Sequence, residues 1–526
     1  MQTTTDRFHQ LASGSVIPID WNVLMSFTKR RRDDLDWFTL DVSELDGDDI
    51  LATLDDNPTQ VWDAYEWLNI SDKIIDMRFE RSIRFPYNVQ AASAEVHLSN
   101  TDHFFTHTDR HTALSPIGEY ILPKRPLRLF LGMRGETNLP QFVGLTQTMP
   151  NYSDDGTTLR WSALDFLTEI GDLDLRSVIM MRDARTDQVI AAILEQFGMT
   201  PEQYSLSPAN NTIPFVLFDS GMNAGNALRR LVQAENGALW LDEQGIIRFT
   251  TRAGVLGKHP VMYFDKKNII DIKPSRHDRI INTVKIRSDI RVVQPFQTIF
   301  SMDNNNGYSR PANDDQWRVP ANSTMKAWLS FEDPAWTTAN LVFNGANTSS
   351  WFTAKSLAGQ AITSGVNANG TLFQNSYKIV FTNSNSQPVS IDELELWGEP
   401  ARVVDTIVLD VAETNSVEKY GIKKLEITDN NFFGSYANAD AFAFDILTKH
   451  SGFSNSIEMT VKGNPALQVS DVITVGHKYA GDYIITGISV RVSAGMMETI
   501  ITADKHEVVE PFILDISQLD GEDRLG

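Results

Sequence analysis

Apolar and polar positions alternate with period two along much of the first third of the chain. Ala94-Glu95-Val96-His97-Leu98, Leu127-Arg128-Leu129-Phe130-Leu131, Gln141-Phe142-Val143-Gly144 and Thr158-Leu159-Arg160-Trp161-Ser162-Ala163-Leu164-Asp165 each place apolar side chains on one side. That period predicts strands with one buried face. Asn100-Thr101-Asp102 ends the first of them, and the Pro-rich Leu122-Pro123-Lys124-Arg125-Pro126 introduces the second. Residues 74–172 are therefore expected to be β-rich.

The period then lengthens. Over residues 186–197, Val189, Ile190, Ile193 and Leu194 share one helix face; over residues 222–235, Ala227, Leu228, Leu231 and Val232 do the same. Between Ala238 and Phe249 two short apolar runs flank Asp242-Glu243-Gln244-Gly245, which predicts a hairpin. Two helices on a small sheet make an α/β unit, and residues 269–286 return to strands.

The last quarter carries an ordered set of signals. Ser416-Val417-Glu418-Lys419-Tyr420-Gly421 runs into Ile422-Lys423-Lys424-Leu425-Glu426-Ile427, which reads as a strand. Asn438-Ala439-Asp440 opens a helix carried by Ala441, Phe442, Phe444, Asp445, Ile446 and Leu447. The alternating Ile457-Glu458-Met459-Thr460-Val461-Lys462 follows. A Gly463-Asn464-Pro465 turn then leads past Val469 into Asp471-Val472. Tyr483-Ile484-Ile485-Thr486-Gly487-Ile488 and Met497-Glu498-Thr499-Ile500-Ile501 are the final strands, parted by a Ser493-Ala494-Gly495 turn.

This order, from Tyr420-Gly421 through Gly463-Asn464-Pro465 to Ser493-Ala494-Gly495, resembles the second barrel of bacteriophage baseplate-hub or tail-tip proteins. The Asn-Asp loop, Pro-basic-Pro strand, Phe-x-Gly strand and small-x-Asp strand of residues 100–165 are similar to their first barrel. The resemblance implies a mainly β chain with an α+β insert: two hub-type β-barrel domains, a small α/β domain and an inserted β-sandwich. The expected division is an arm at 1–60, a first barrel at 61–180 and an α/β domain at 181–255. A second barrel follows at 256–290 plus 400–508, with the sandwich inserted at 291–399 and a tail at 509–526. It further implies a structural virion protein, assembled in the host cytoplasm and placed at the phage tail tip. Three copies would surround the tail axis and adapt a sixfold tube to a threefold tip. The implied partners are two further copies, a tail-tube or distal tail protein, other tip or fibre proteins and a tape-measure protein, with DNA only in passage.

Two features stand apart from that pattern. Phe38-Thr39-Leu40-Asp41-Val42-Ser43-Glu44-Leu45-Asp46-Gly47-Asp48-Asp49-Ile50-Leu51 is nearly repeated at the end of the chain as Phe512-Ile513-Leu514-Asp515-Ile516-Ser517-Gln518-Leu519-Asp520-Gly521-Glu522-Asp523-Arg524-Leu525, with nine positions identical. The shared alternation and Asp-Gly turn make Phe38, Leu40, Asp41, Leu45, Asp46, Gly47, Phe512, Leu514, Asp515, Leu519, Asp520 and Gly521 candidate docking residues. The competing reading is a chance repeat of a common hairpin-like segment. The second feature is the stretch 303–397, rich in Asn, Ser and Thr. Leu341-Val342-Phe343-Asn344 and Tyr377-Lys378-Ile379-Val380-Phe381 in it predict a sandwich. Its Trp317, Trp328, Trp336 and Trp351 are candidate platforms for a host wall polysaccharide, against the alternative that they are core residues.

Composition narrows the chemistry. Zero cysteines remove disulfides, thiolate ligands and a cysteine nucleophile. A net charge of −22 argues against general nucleic-acid binding, while an acidic duct through which DNA slides remains compatible with it. Solubility is the simpler reading of the charge. Lys29-Arg30-Arg31-Arg32 is followed at once by Asp33-Asp34, which fits a self-neutralising loop or subunit contact better than a phosphate site. His103, His107 and His111 would share a helix face and suit zinc, but the Phe- and Thr-rich run around them favours a polar loop. No Gly-x-Ser-x-Gly, Gly-Lys-Ser or phosphate-cradling glycine loop appears. No enzyme and no cofactor is expected. A host-surface adhesin is the alternative function, and a wall hydrolase is the reading the missing motifs disfavour.

Overall fold

The computed structural model describes residues 1–506 except 13–18, 28–66, 84–87, 90, 107–114, 116, 134–137, 220, 252–253, 255–257, 276–279, 303–316, 339–351, 363, 374–375 and 453–455. The chain is mainly β. Among the described residues its largest sheet has 14 strands, eleven of which run, in hydrogen-bonded order, Ile269–Ser275, Ser456–Lys462, Met496–Lys505, Gly481–Ser493, Ile74–Ser82, Ser93–Ser99, Thr158–Asp165, Leu139–Thr146, Pro126–Met133, Ile19–Met25 and Leu68–Asn69, while Pro260–Phe264, Val472–Val475 and Asn151–Tyr152 pair off this path. The first four come mostly from the end of the chain and the rest from its beginning. The two curled halves meet where Gly487 to Ser493 pair antiparallel with Ser82 to Asp76. Buried side chains from both halves, among them Met77, Phe79, Val96, Trp161, Met459, Val490 and Ile501, form one continuous core.

Local chemistry explains the elements. Along Thr158–Asp165 the buried positions are Leu159, Trp161, Ala163 and Asp165, every second residue. Asp165 ends that strand and caps the helix Phe166–Asp172: its Oδ1 accepts from the Thr168 N–H at 3.3 Å and its Oδ2 from the Ala92 N–H at 2.6 Å. Ala494 (φ 51°) and Gly495 (φ 76°) form the two-residue turn between Gly481–Ser493 and Met496–Lys505, positive at both centres as a right-twisted hairpin requires. The Ser416 run differs from its expected strand. Glu413 accepts from the N–H groups of Asn415 and Ser416, and Gly421 at φ 70° ends the turn, so Thr414–Tyr420 is a short helix. The strand is confined to Lys424–Ile427.

The α/β unit contains the expected helices as Thr186–Gln196 and Ala224–Ala234 and the expected hairpin as Ala238–Leu241 with Ile247–Thr250. It is larger than its expected span. Val284, Ile286, Ile407, Ile427, Phe433, Phe442 and Ile446 share its core, so the helix Tyr436–His450 and the pair Thr283–Val293 and Val389–Ala412 pack here and not in the second half of the large sheet. Val389–Ala412 is one unbroken strand of 24 residues crossing the expected boundary at 399 and 400. Its first half belongs to the inserted sandwich, where Gln297–Met302, Arg318–Val319, Ala335–Thr338 and Phe352–Ser356 pair with it. The facing sheet is Ser323–Ser330, Ser376–Asn383 and Val366–Phe373, in that order. Phe352, Tyr377, Ile379, Phe381 and Ile391 fill the space between.

The halves and the α/β unit meet at a buried charge pair. Arg81, from the Ile74–Ser82 strand, forms an ion pair with Glu243 in the hairpin turn of the α/β unit, with the two side chains only 4% and 2% exposed. Gln468, from the loop after Ser456–Lys462, donates its amide to the other Glu243 oxygen at 2.7 Å. Removing one member strands a buried charge, so Arg81→Ala or Glu243→Ala is expected to cost about 3–5 kcal/mol. The double change Arg81→Met with Glu243→Leu is expected to cost much less. Urea unfolding of the three variants measures this, and equal losses in single and double variants would contradict it.

Burial pushes the Asp165 carboxyl up to about 7 from its ordinary value of 3.8, against the lowering effect of its backbone donors. A folded-state pKa above the unfolded value means stability is fullest below pH 3.8 and is lost as pH rises through about 7. Asp165→Asn is expected to flatten the melting-temperature profile across that window relative to the parent. An unchanged difference between the two proteins at every pH would contradict the assignment.

Candidate functional site

The face of the large sheet opposite its core is a ladder of charge laid across the junction of the halves. Strand parity sets it: in Ile74–Ser82 the core takes Met77, Phe79 and Arg81, which leaves Asp76, Arg78 and Glu80 on the other side. The same parity puts Arg491 outward beside Val490 and Val492, Glu95 beside Ala94 and Val96, and Arg160 beside Leu159 and Trp161. Register then aligns Glu498 with Arg491, Arg491 with Arg78, and Arg78 with Glu95. Ser162 is the next residue of that row, and Arg160, opposite His97 in the neighbouring row, reaches diagonally to place its guanidinium 2.8 Å from Glu95. One row away His97 Nδ1 lies 2.8 Å from Asp76, and at the far margin Lys273 lies 2.7 Å from Glu458. The hydrogen bond to Glu458 raises the pKa of Lys273.

Asp76, Arg78, Glu95, Arg160, Ser489, Arg491, Glu498 and Ile500 line a shallow depression of about 370 Å³ on this face. Its three guanidinium and three carboxylate groups are interleaved across five strands, with Arg491 and Arg78 side by side and Asp76, Glu95 and Glu498 around them, so the charges of the depression balance. Such a face stays hydrated and offers a polyanion no continuous row of cations. Among the described residues no group of three or more His, Asp or Glu is arranged to hold a metal ion.

The candidate residues from the sequence fall differently. Phe38, Leu40, Asp41, Leu45, Asp46, Gly47, Phe512, Leu514, Asp515, Leu519, Asp520 and Gly521 lie outside the described residues, as do Trp351, His107 and His111. His103 sits in the turn after Ser93–Ser99 at φ 59°, its N–H bonded to the Asn100 carbonyl. Trp317 packs on the sandwich core, and Trp336 packs against Phe215, Val293 and Ala401 where the sandwich meets the α/β unit. Trp328 alone of the three described candidates is exposed, at 57%. Sequence reasoning missed its neighbour Phe373. It also missed the charge ladder, whose members are spread over five strands and align only through register. The signal for Phe373 was present: it continues the outward parity of Asn367, Asn369 and Thr371.

Neither a family model nor a curated protein sequence matches the chain. Solved structures do resemble it. A 43 kDa tail protein of prophage MuSo2 from Shewanella oneidensis is 11% identical, with 84% of this chain and 96% of that one covered, at a TM-score of 0.43. A tail protein from Neisseria meningitidis is 9% identical, covering 84% and 94%, also at 0.43. An Escherichia coli component of the type VI secretion system, described as structurally similar to the T4 bacteriophage tail proteins gp27 and gp5, is 8% identical, covering 84% and 78%, at 0.38. Scores and identities this low carry no functional argument, which rests on the sheet's own registers and charges.

Proposed function

We propose that the chain is a structural protein of a bacteriophage tail tip, a hub in which three copies stand around the tail axis and close their sheets into one wall. The observation that carries this reading is the single hydrogen-bonded sheet through both halves. Each copy offers two curled walls side by side, so three copies offer six, which suits a sixfold tube on one side and a threefold tip on the other. The sheet also has margins to join. Among the described residues Ile269–Ser275, at one end of the path, is paired on one side only, and at the other end Leu68–Asn69 pairs with just Met25 and Leu24 of Ile19–Met25. Open sheet margins favour association with a further strand.

In such a ring the charged ladder lines the channel. Its balanced Arg and acidic side chains keep it wet without holding phosphate, so a tape-measure protein and then DNA pass during genome ejection. The segments 38–51 and 512–525 supply attachment to a tube or distal tail protein and to tip or fibre proteins. The virion tail is the working location, and assembly takes place in the host cytoplasm. The role is mechanical and needs no cofactor.

Negative-stain class averages of the purified full chain test the ring. Threefold particles with a central hole are expected. Ile270, 65% exposed at the bulge of the Ile269–Ser275 margin, supplies the control: Ile270→Lys is expected to yield single copies with an unchanged melting temperature. Compact single copies of the parent protein would overturn the reading.

A further inference from the structure

The three-stranded sheet of the sandwich carries an aromatic platform on its outer face. Trp328 and Phe373 are 57% and 44% exposed, and their ring centroids lie 5.3 Å apart. Register explains the contact: Trp328 stands opposite Lys378, which stands opposite Thr371, while Ser330, Ser376 and Phe373 form the next row. The Lys378 ammonium lies 5.8 Å from the Trp328 ring centre, a cation–π distance.

Trp328 is not a misplaced core residue. Its neighbour Leu329 fills the inner face at 2% exposure, beside the fully buried Ile379 and Phe381. The inner face is already tight: a Cβ on Gly370 would sit 2.1 Å from the Tyr377 ring, so a glycine is what lets that ring lie flat. The outer face has the opposite design. Besides the two rings it presents Asn369, Thr371 and two lysines, Lys326 and Lys378, and no carboxylate occurs at any outward position of the three strands. That local charge is the reverse of the chain's −22.

From this we infer that the outer face of the sheet Ser323–Ser330, Ser376–Asn383 and Val366–Phe373 binds an acidic polysaccharide, a pyranose chain bearing carboxylate or phosphate groups. The rings take the apolar C–H faces of two sugar units. Asn369 and Thr371 hydrogen-bond hydroxyls, and Lys326 and Lys378 select the acidic substituents. The reading is independent of the hub, because it rests only on the sandwich.

Isothermal titration of the full chain tests it with four probes: polygalacturonate, which carries carboxylates; phosphomannan, which carries phosphates; neutral dextran; and sugar-free polyphosphate. Binding to polygalacturonate, phosphomannan or both is expected, and which of them binds identifies the substituent. Dextran and polyphosphate are expected to bind more weakly. Trp328→Ala and Phe373→Ala are each expected to weaken binding about tenfold, and Lys378→Glu to remove its salt dependence. All three positions are at the surface, so the melting temperature should not move. Four results would overturn the inference: no binding to either acidic polysaccharide, undiminished binding by Trp328→Ala, polyphosphate binding as tight as the glycan, or a Trp328→Ala effect that works through a change in oligomeric mass.

Discussion

Everything in this molecule hangs on one seam of backbone hydrogen bonds, the antiparallel pairing of Asp76 to Ser82 with Ser493 to Gly487. It joins strands from opposite ends of the chain and turns two curled sheets into one. The seam is held from behind by Phe79 and Val490 in the shared core. At its edge Arg81 reaches Glu243, and Gln468 reaches the same carboxylate. A buried charge tolerates little displacement, because both ions have given up their water. That pair therefore fixes the angle at which the α/β unit sits on the sheet.

The two faces of the seam do different work from the same strands. Alternation sends Met77, Phe79, Val490 and Val492 inward, and with equal regularity sends Arg78, Glu80 and Arg491 outward. A one-residue slip in register would exchange the faces, so the core that stabilises the sheet also fixes the order of charge on its other side. The sandwich repeats the principle on a smaller scale. There Leu329 is drawn in and Trp328 is left in solvent.

Period and turn chemistry made the separate elements legible. Thr158–Asp165 coincides with its expected strand, Thr186–Gln196 matches its helix within one residue, and Ser493-Ala494-Gly495 forms its hairpin turn. These depend on neighbours in sequence. What was not legible depends on partners far away. No local signal says that Ile74–Ser82 lies beside Gly481–Ser493, that Val389–Ala412 continues through two cores, or that Phe442 packs on the α/β unit. The helix Thr414–Tyr420 was hidden by the apolar alternation just after it, while a capping Glu413 and a left-handed Gly421 decided the local outcome. The same limit held at the surface: Trp328 was visible as a residue type, and its pairing with Phe373 and Lys378 exists only in register.

Amide hydrogen exchange resolved along the chain tests the central claim, that the halves are one cooperative sheet. The expected result is that residues 487–493 and 76–82 are as protected as the inner strands of either half, and that Arg81→Ala loosens both halves together. Rapid exchange at the seam, with the two halves opening independently, would contradict it.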